Sequence, residues 1–398
     1  ADYVPADVAA QFTRETGIKV EVALSNNEEM ISKLRATRGA GFDLAQPSQD
    51  RIAGPQQEFG IYKPIDLSKV RIERIQPDLL ATVRRNATVG GKLYALPYVW
   101  GAEGLVVNTK RTKINDYLDL CRADLKGRTS VRLRRPTLMA FAFAMGKDPF
   151  ALYGNRQAYT ALMEQVGAKL ISCKVNFRFF FDNRDQLLNG MRSGELHAAM
   201  MWDSGGWRLN RENPDIQFIA PKSGALGWLD TYALPARGKN EAAAYAWINF
   251  TLRPDIAARI AKSIGNFSAA KGADALTDPV LRAQFAASFP DGFKSVRWYP
   301  AIPPGLEEIE GRVLDRIKAA NLASVGLLPS PTDFKPQRSL CSDIRRWLCE
   351  ASPGITAECL GTSHLLSTFG NGRNDKSSAK AGVSLVNQLE SRRSVSRI

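Results

Sequence analysis

Strand-like and helix-like segments alternate along most of the sequence, and this order constrains the fold more than any other feature. Residues 18–24 alternate apolar and polar side chains with a period of two, as a half-buried strand does, and residues 28–37 have helical spacing. A short apolar segment, 42–45, follows and ends at Pro47 and Ser48. Repeated strand and helix units predict an α/β fold.

The same alternation continues as far as residue 320. After a first helix that begins at Pro5, we predict strands at 93–97, 104–108, 198–202, 216–220 and 231–235, and helices at 137–145, 158–166, 186–193, 241–252, 254–263 and 304–320. Because helices separate many of these strands, we expect a largely parallel sheet with helical crossovers.

The length of the chain indicates two domains and an appended tail. At 398 residues the chain exceeds the size at which a single hydrophobic core stops growing. From residue 321 onward apolar periodicity fades, and Ser, Gly, Pro and Asn become frequent, so we expect 321–398 to be poorly ordered. No apolar run reaches the roughly 18 residues that a membrane-spanning helix requires.

The net charge of +14 raises the question of a nucleic-acid partner. The positive charges are spread along the chain, and the compact cluster in its body is Arg132, Arg134 and Arg135. No nucleic-acid-binding module surrounds that cluster, so we expect no nucleic-acid partner. The five cysteines include no CxxC pair, and they neither require nor exclude export.

The residue types that enzymes use most are scarce in this sequence. There are two histidines, and His197 enters a predicted buried strand, where a structural role is expected. The sequence contains no GxSxG motif, no GxxxxGK[ST] loop and no GxGxxG fingerprint. We therefore expect a protein that is not an enzyme, with no catalytic residue, no cofactor and no metal.

Two tryptophans lie beside carboxylates in the second half of the body. Trp202 precedes Asp203 directly, and Trp228 lies two residues before Asp230. An aromatic face attracts an organic cation by about 0.5 to 2 kcal/mol, and a carboxylate adds charge-assisted hydrogen bonds. Composition alone favours core packing for these tryptophans, but they lie at the ends of predicted strands, where open α/β sheets bind ligands. That position favours a binding site.

A set of short motifs is distributed over residues 1–320. They are YVP at 3–5, FTRETGIKV at 12–20, FDL at 42–44, LPYVWG at 96–101, MW at 201–202, WLD at 228–230, INF at 248–250 and LRP at 252–254. In this order and spacing, the set resembles the spermidine/putrescine-binding family of periplasmic solute-binding proteins of ABC importers.

The resemblance implies the type II periplasmic-binding-protein fold, in which two α/β lobes are joined by a hinge and close over a ligand. It assigns residues 1–107 with 231–288 to one lobe, and residues 108–227 with 289–320 to the other. Further implications are a monomer in the periplasm that works with the permease subunits of an ABC importer. The sequence contains no export signal, and we expect that signal to have been removed.

The resemblance also implies ligand contacts. Trp202 and Trp228 would flank the methylene chain of a polyamine, and Asp230 would pair with an amine. Further candidate contacts are Ser48, Gln49, Asp203, Phe289 and Tyr299.

Two departures from the family pattern affect these expectations. The chain begins after the position of the family's first strand, so we expect that strand and its aromatic contact to be missing. Where polyamine binders carry acidic residues, this sequence reads RLRRPT at 132–137, with Arg134 and Thr137 as candidate contacts. If Arg134 or Arg135 points into the cleft, a zwitterionic or anionic ligand becomes plausible; the alternative is that these arginines are solvated on the lobe surface or contact the transporter.

Three interpretations of function therefore remain. Capture of a polyamine for import is the first, and import of a zwitterionic or anionic amine-containing solute is its alternative. An enzyme of unknown class would have to place its chemistry on Asp203, Asp230 or Cys121, and none of these has an evident catalytic partner.

Overall fold

The computed structural model describes residues 3–320 and 393–397. These residues form twelve α-helices, which are Ala6–Thr16 (α1), Asn27–Ala36 (α2), Ala53–Phe59 (α3), Pro77–Ala87 (α4), Arg135–Ala144 (α5), Arg156–Ser172 (α6), Arg184–Arg192 (α7), Asp203–Glu212 (α8), Glu241–Thr251 (α9), Pro254–Ile264 (α10), Pro279–Ser288 (α11) and Leu306–Ala319 (α12). None of the helices in this part of the chain is long and apolar enough to cross a membrane.

The same residues form fifteen strands, which are Glu21–Ser25 (β1), Leu44–Ala45 (β2), Tyr62–Lys63 (β3), Thr88–Val89 (β4), Lys92–Leu93 (β5), Leu96–Asn108 (β6), Thr129–Val131 (β7), Phe177–Phe180 (β8), Ala198–Trp202 (β9), Ile216–Ile219 (β10), Ala225–Tyr232 (β11), Leu234–Pro235 (β12), Phe267–Ser268 (β13), Val296–Trp298 (β14) and Arg393–Arg397 (β15). Strands and helices alternate, so the structure confirms the α/β class.

The predicted strand direction was wrong for the main sheet. This eight-stranded sheet has the order β14-β11-β6-β9-β7-β8, and β10 and β13 also pair with β6. The pairs β7–β8, β7–β9 and β11–β14 are parallel, whereas β6 is antiparallel to every strand that it contacts in the sheet. Segments 93–97 and 104–108, which were predicted as two strands, lie largely in β6, which is buried on both faces and shows no period-two alternation.

β6 belongs to both lobes. Its first half is flanked by β11 and β13, and its second half by β10 and β9. The change of partners falls between Gly101 and Glu103, inside the segment 1–107 that the sequence assigns to the first lobe. The lobe boundaries stay a prediction, under which the paired strands β6 and β11 would connect the two lobes.

A β-bulge interrupts the pairing of β6 with β11. Asp230 pairs with Val99, and Thr231 pairs with Pro97, so Tyr98 is the extra residue between the two pairs. Bulges bend a strand and change the direction of its side chains, and they are frequent next to functional sites. Asp230 is therefore the last residue of β11 before the pairing with β6 shifts by one residue.

A smaller sheet of the first lobe includes a strand from the far end of the chain. Its order is β1-β15-β2, and β15 is antiparallel to both neighbours, with Val395 opposite Ala23 and Ala45. Five residues of the predicted tail therefore form a strand, which the sequence did not indicate. The rest of the segment predicted to be poorly ordered, residues 321–392 and 398, lies outside the described residues.

Ordinary local signals fix the helices around these sheets. The Asn26 side chain accepts the Glu29 N–H at 2.8 Å and so caps α2. α1 ends at Gly17, which adopts φ 74°, a conformation that glycine reaches without strain. The buried Phe12 of α1 then packs against Trp247 of α9, with ring centroids 5.1 Å apart. Such contacts hold the helices of the first lobe in place.

Cys121 and Cys173 form a disulfide with a Cα–Cα distance of 5.0 Å. The bond joins the turn before β7 to the end of α6, across 52 residues of sequence. The cysteine spacing alone did not indicate this pair. Structural disulfides persist mainly in oxidising compartments such as the periplasm.

Candidate functional site

A cavity of about 690 Å³ lies where strand ends and helix starts of the two lobes meet. Its wall is formed by Tyr3, Leu24, Asn26, Asn27, Glu28, Ser48, Asp50, Arg51, Glu103, Arg132, Arg134, Arg135, Pro136, Asn183, Arg184, Asp185, Trp202, Ser204, Trp228, Asn266, Tyr299, Glu307, Glu310, Gly311 and Leu314. Five arginines and six acidic residues are in this set. The cavity is therefore strongly polar, and charges of both signs face it.

The chain segment after β2 brings Ser48 to Asp230. These two residues form an isolated antiparallel bridge, and the Ser48 Oγ donates a hydrogen bond of 2.7 Å to the Asp230 Oδ1. Thr231 strengthens the same junction, since its N–H and its hydroxyl both donate to the carbonyl of Pro47. Ser48 lines the cavity, and Asp230, which is 1% exposed, lies directly behind it.

Trp228 lies two residues before Asp230 in β11, so the two side chains project from the same face of the strand. Its ring is packed over Gly101, where an added Cβ would lie 2.4 Å from the Trp228 Cζ2 and 2.5 Å from the Asn266 Nδ2. Only glycine leaves room for both side chains. Among residues 3–320, the Nε1 of Trp228 is one of the buried side-chain donors for which no hydrogen-bond partner is found.

Asp203 supports this wall from behind. Its two carboxylate oxygens accept hydrogen bonds of 2.7 Å from the Asn266 Nδ2, the Ser204 N–H and the Ala102 N–H. Burial raises the pKa of Asp203 to about 7, since the loss of hydration outweighs these hydrogen bonds, which lower it. Asp203 is buried, and its hydrogen bonds to the Asn266 side chain and the Ala102 N–H position Asn266 and β6.

Arg135, at the start of α5, pairs with one residue from each of the two predicted lobes. Its Nε lies 3.0 Å from both carboxylate oxygens of Glu310 in α12, and its Nη1 lies 3.3 Å from the Oδ2 of Asp50, two residues after Ser48. Arg135 is 7% exposed, Asp50 is 8% and Glu310 is 3%. A guanidinium between two carboxylates therefore occupies one part of the cavity wall.

Arg132 covers one of the predicted aromatic contacts. Its guanidinium carbon lies 5.1 Å from the ring centroid of Trp202, within cation–π range. Trp202 itself is half-buried and lines the cavity at the end of β9. Arg134, which caps α5, and Arg184 at the start of α7 line the same cavity.

The remaining predicted contacts lie away from the cavity lining. The Nε2 of Gln49 donates to the backbone oxygen of Tyr299 at 3.1 Å, and Thr137 donates to the backbone oxygen of Arg132. Phe289 stacks on Phe285, with ring centroids 5.0 Å apart. These three residues support the structure behind the cavity lining and do not line the cavity themselves. Of the ten predicted contacts, Ser48, Arg134, Trp202, Trp228 and Tyr299 line the cavity.

Several residues of the cavity were absent from the predicted set. They include Asp50, Glu103, Asn266 and Glu310, which are polar and at most 8% exposed. Asp50 could have been found from its position two residues after Ser48, but the others carry no local signal. Within residues 3–320, no three His, Cys, Asp or Glu side chains form a group that could hold a metal ion.

Comparison with known families decides the class of protein. The family model for bacterial extracellular solute-binding proteins matches residues 7–287, which is more than half of the chain. The chain belongs to this solute-binding protein family.

Relatives of the solute-binding protein are named as periplasmic binding proteins. It is 30% identical over 269 residues to the spermidine/putrescine-binding periplasmic protein of Escherichia coli, with 66% of this chain and 74% of the relative covered. It is 31% identical over 274 residues to the spermidine/putrescine-binding periplasmic protein 1 of Haemophilus influenzae, with 66% and 72% covered. The expected family is therefore confirmed, and relatives of this kind are solute-binding proteins rather than enzymes.

Solved structures confirm the fold of the solute-binding protein. The spermidine/putrescine-binding protein PotD of Streptococcus pneumoniae superposes with a TM-score of 0.66 at 24% identity, covering 80% of this chain and 96% of its own. A putative spermidine/putrescine ABC transporter protein from Listeria monocytogenes superposes with a TM-score of 0.68 at 22% identity, covering 81% and 97%.

Proposed function

We propose that this solute-binding protein captures a small organic amine in its cavity and delivers it to the permease subunits of an ABC importer. The observation that carries the proposal is the buried carboxylate of Asp230, which accepts a hydrogen bond of 2.7 Å from Ser48 and lies two residues from Trp228 on the same face of β11. A carboxylate with an aromatic face is the pair of groups that binds an ammonium head and its methylene chain. A buried carboxylate is costly unless cations or donors compensate it, and a bound ammonium group does so.

The relatives support polyamines as the first ligands to consider. Several of them are named for binding spermidine and putrescine in the periplasm. We infer the same compartment for this protein, and the Cys121–Cys173 disulfide supports it because such bonds persist where conditions are oxidising. We further infer a monomer that converts no substrate and works by closing its two lobes around β6 and β11.

A zwitterionic amine-containing solute is the second candidate. Arg132, Arg134 and Arg184 line the same cavity as Ser48 and Trp228. A solute with an ammonium group at Asp230 and a carboxylate toward these arginines would form charge-assisted hydrogen bonds at both ends. The position of Arg132 and Arg134 on the cavity lining supports this second candidate.

Thermal unfolding with a panel of ligands tests the proposal. The panel contains polyamines, amino acids, betaines and small phosphonates, and a ligand that binds the folded state stabilises it by about 2.7 kcal/mol at a hundredfold excess over its Kd. We expect at least one amine to raise Tm, and Asp230→Ala to abolish that shift. Asp255→Ala, which removes an exposed carboxylate of α10, is the matched control and should retain it.

The outcomes separate the two solute classes. Loss of binding in Arg134→Gln would favour a solute with an anionic end, and unchanged binding would favour a polyamine. An amine-induced shift that survives in Asp230→Ala would refute the proposed amine site, and a panel without any shift would refute the amine class.

A further inference from the structure

Arg135 occupies the most enclosed group of charges on the cavity wall. Its Nε lies 3.0 Å from each oxygen of Glu310, and its Nη1 lies 3.3 Å from Asp50. Its Nη2 also donates to the hydroxyl of Tyr153. The partners of this guanidinium are two carboxylates and a hydroxyl. These are also the groups that would bind an ammonium group of a ligand.

Aromatic rings complete these surroundings. The guanidinium carbon of Arg135 lies 5.6 Å from the ring centroid of Tyr299 and 5.7 Å from that of Tyr153. Tyr159 donates a hydrogen bond of 2.5 Å to Glu310 and so orients that carboxylate. Carboxylates beside aromatic faces have the same chemistry as the proposed amine site at Asp230 and Trp228, so the surroundings of Arg135 suit a second cation subsite.

The two subsites are adjacent in the structure. Ser48, which orients the carboxylate of Asp230, and Asp50, which binds Arg135, are separated by one residue of the same turn. A flexible molecule with several ammonium groups would be complementary to both subsites. In this chain the second subsite already contains a cation.

We infer that Arg135 is a specificity-determining residue that fills the second cation subsite, so that a solute is recognised through one ammonium group only. The inference rests on the proposed function and narrows it. A second ammonium group of a ligand would have to displace a guanidinium that is covalently attached and hydrogen-bonded to three partners. A tethered group competes at a high effective concentration, so the number of ammonium groups on the ligand adds little affinity.

Calorimetric titration of the whole chain with butylamine, putrescine and spermidine measures this directly. The first two probes share a four-carbon chain and differ in one ammonium group. At constant ionic strength we expect their Kd values, and that of spermidine, to agree within about threefold. Affinity that rises about tenfold or more with each ammonium group would overturn the inference, since each tenfold step means a further favourable contact.

Arg135→Met tests the residue itself. The variant keeps most of the side-chain length, removes the charge and leaves Asp50 and Glu310 to bind a ligand cation. We expect spermidine to gain at least about tenfold over butylamine relative to the unmodified chain. Arg134→Met is the matched control: it removes the same charge from the same cavity but does not uncover the two carboxylates, and the ratio should stay within about threefold. An equal gain in both variants would point to net charge alone and would refute the inference.

Removal of Arg135 leaves two buried carboxylates together, which can prevent folding. Arg135→Met combined with Glu310→Gln removes one of them, and Asp50 remains as the acceptor for a second ammonium group. The same gain is expected in this double variant, and an unchanged ratio in a folded variant refutes the inference. If the unmodified chain binds none of the three amines, the proposed function fails. If it binds them and Arg135→Met does not alter the ratio, only the inference fails.

Discussion

Ser48 donates a hydrogen bond of 2.7 Å to Asp230 across 182 residues of sequence, and the two residues also form a β-bridge. One comes from the turn that follows β2, and the other comes from the bulged strand β11. The contact fixes the direction of a buried carboxylate. It also connects the chain segment after β2, in the small sheet β1-β15-β2, to β11 of the main sheet.

Replacement of Ser48 by alanine should destabilise the protein by about 1 to 3 kcal/mol, because a buried carboxylate loses a hydrogen-bond donor. Urea unfolding followed by tryptophan fluorescence measures the difference. Ser68→Ala is the matched control, since the Ser68 hydroxyl donates to Asp66 at 2.6 Å in an exposed turn. A loss in the control as large as in Ser48→Ala would show that burial of the acceptor is irrelevant.

The stability of the protein should depend on pH through Asp203. Burial raises the pKa of this carboxyl from 3.8 to about 7 in the folded state. Between about pH 4 and pH 7 the folded chain therefore binds a proton that the unfolded chain has lost, and its stability falls as pH rises, by up to about 4 kcal/mol. Above about pH 7 both states have lost the proton, and this contribution becomes constant.

Asp203→Asn removes the titrating group and should flatten the dependence over this range. Urea unfolding at pH 4.5 to 8 compares it with the unmodified chain and with Asp274→Asn, which changes an exposed carboxyl and should keep the original slope. Parallel pH profiles for Asp203→Asn and the unmodified chain would contradict the assignment and indicate that Asp203 stays charged throughout.

The Cys121–Cys173 bond should contribute about 4 kcal/mol to stability, which is the chain-entropy expectation for a closed loop of 52 residues. We expect the double variant Cys121→Ser with Cys173→Ser to lose that amount in urea unfolding. Dithiothreitol should lower the Tm of the unmodified chain to that of the variant and leave the variant unchanged. Equal sensitivity of both proteins to the reductant would contradict a structural role for this bond.

The sequence predicted the parts of the site that local patterns encode. Trp228 and Asp230 share one face of a strand, and their spacing alone placed an aromatic ring beside a carboxylate. Asp203 also lies close to a tryptophan in sequence, yet its side chain hydrogen-bonds within the core. α8 begins at Asp203 itself, so the chain turns there and the carboxylate meets the Ala102 N–H of β6. The start of this helix, and not the residue types around it, sets the direction of the Asp203 side chain.

Long-range partners explain what the sequence could not predict. Arg135 pairs with Asp50, 85 residues earlier, and with Glu310, 175 residues later, and neither distance leaves a pattern in the sequence. The disulfide could not be predicted for the same reason, since its cysteines are 52 residues apart in sequence. The mixed sheet was missed because β6 is buried on both faces, and a uniformly apolar strand reveals neither its length nor the direction of its neighbours.

Asp230 and the bulge at Tyr98 lie where β6 and β11 pair, and the proposed closure of the lobes would use this pair of strands as its hinge. A rotation displaces each atom in proportion to its distance from the axis. A change of a few tenths of an ångström at Asp230 therefore corresponds to much larger displacements at the outer ends of both lobes. A membrane partner that contacts those outer surfaces would detect an occupied cavity without touching the solute.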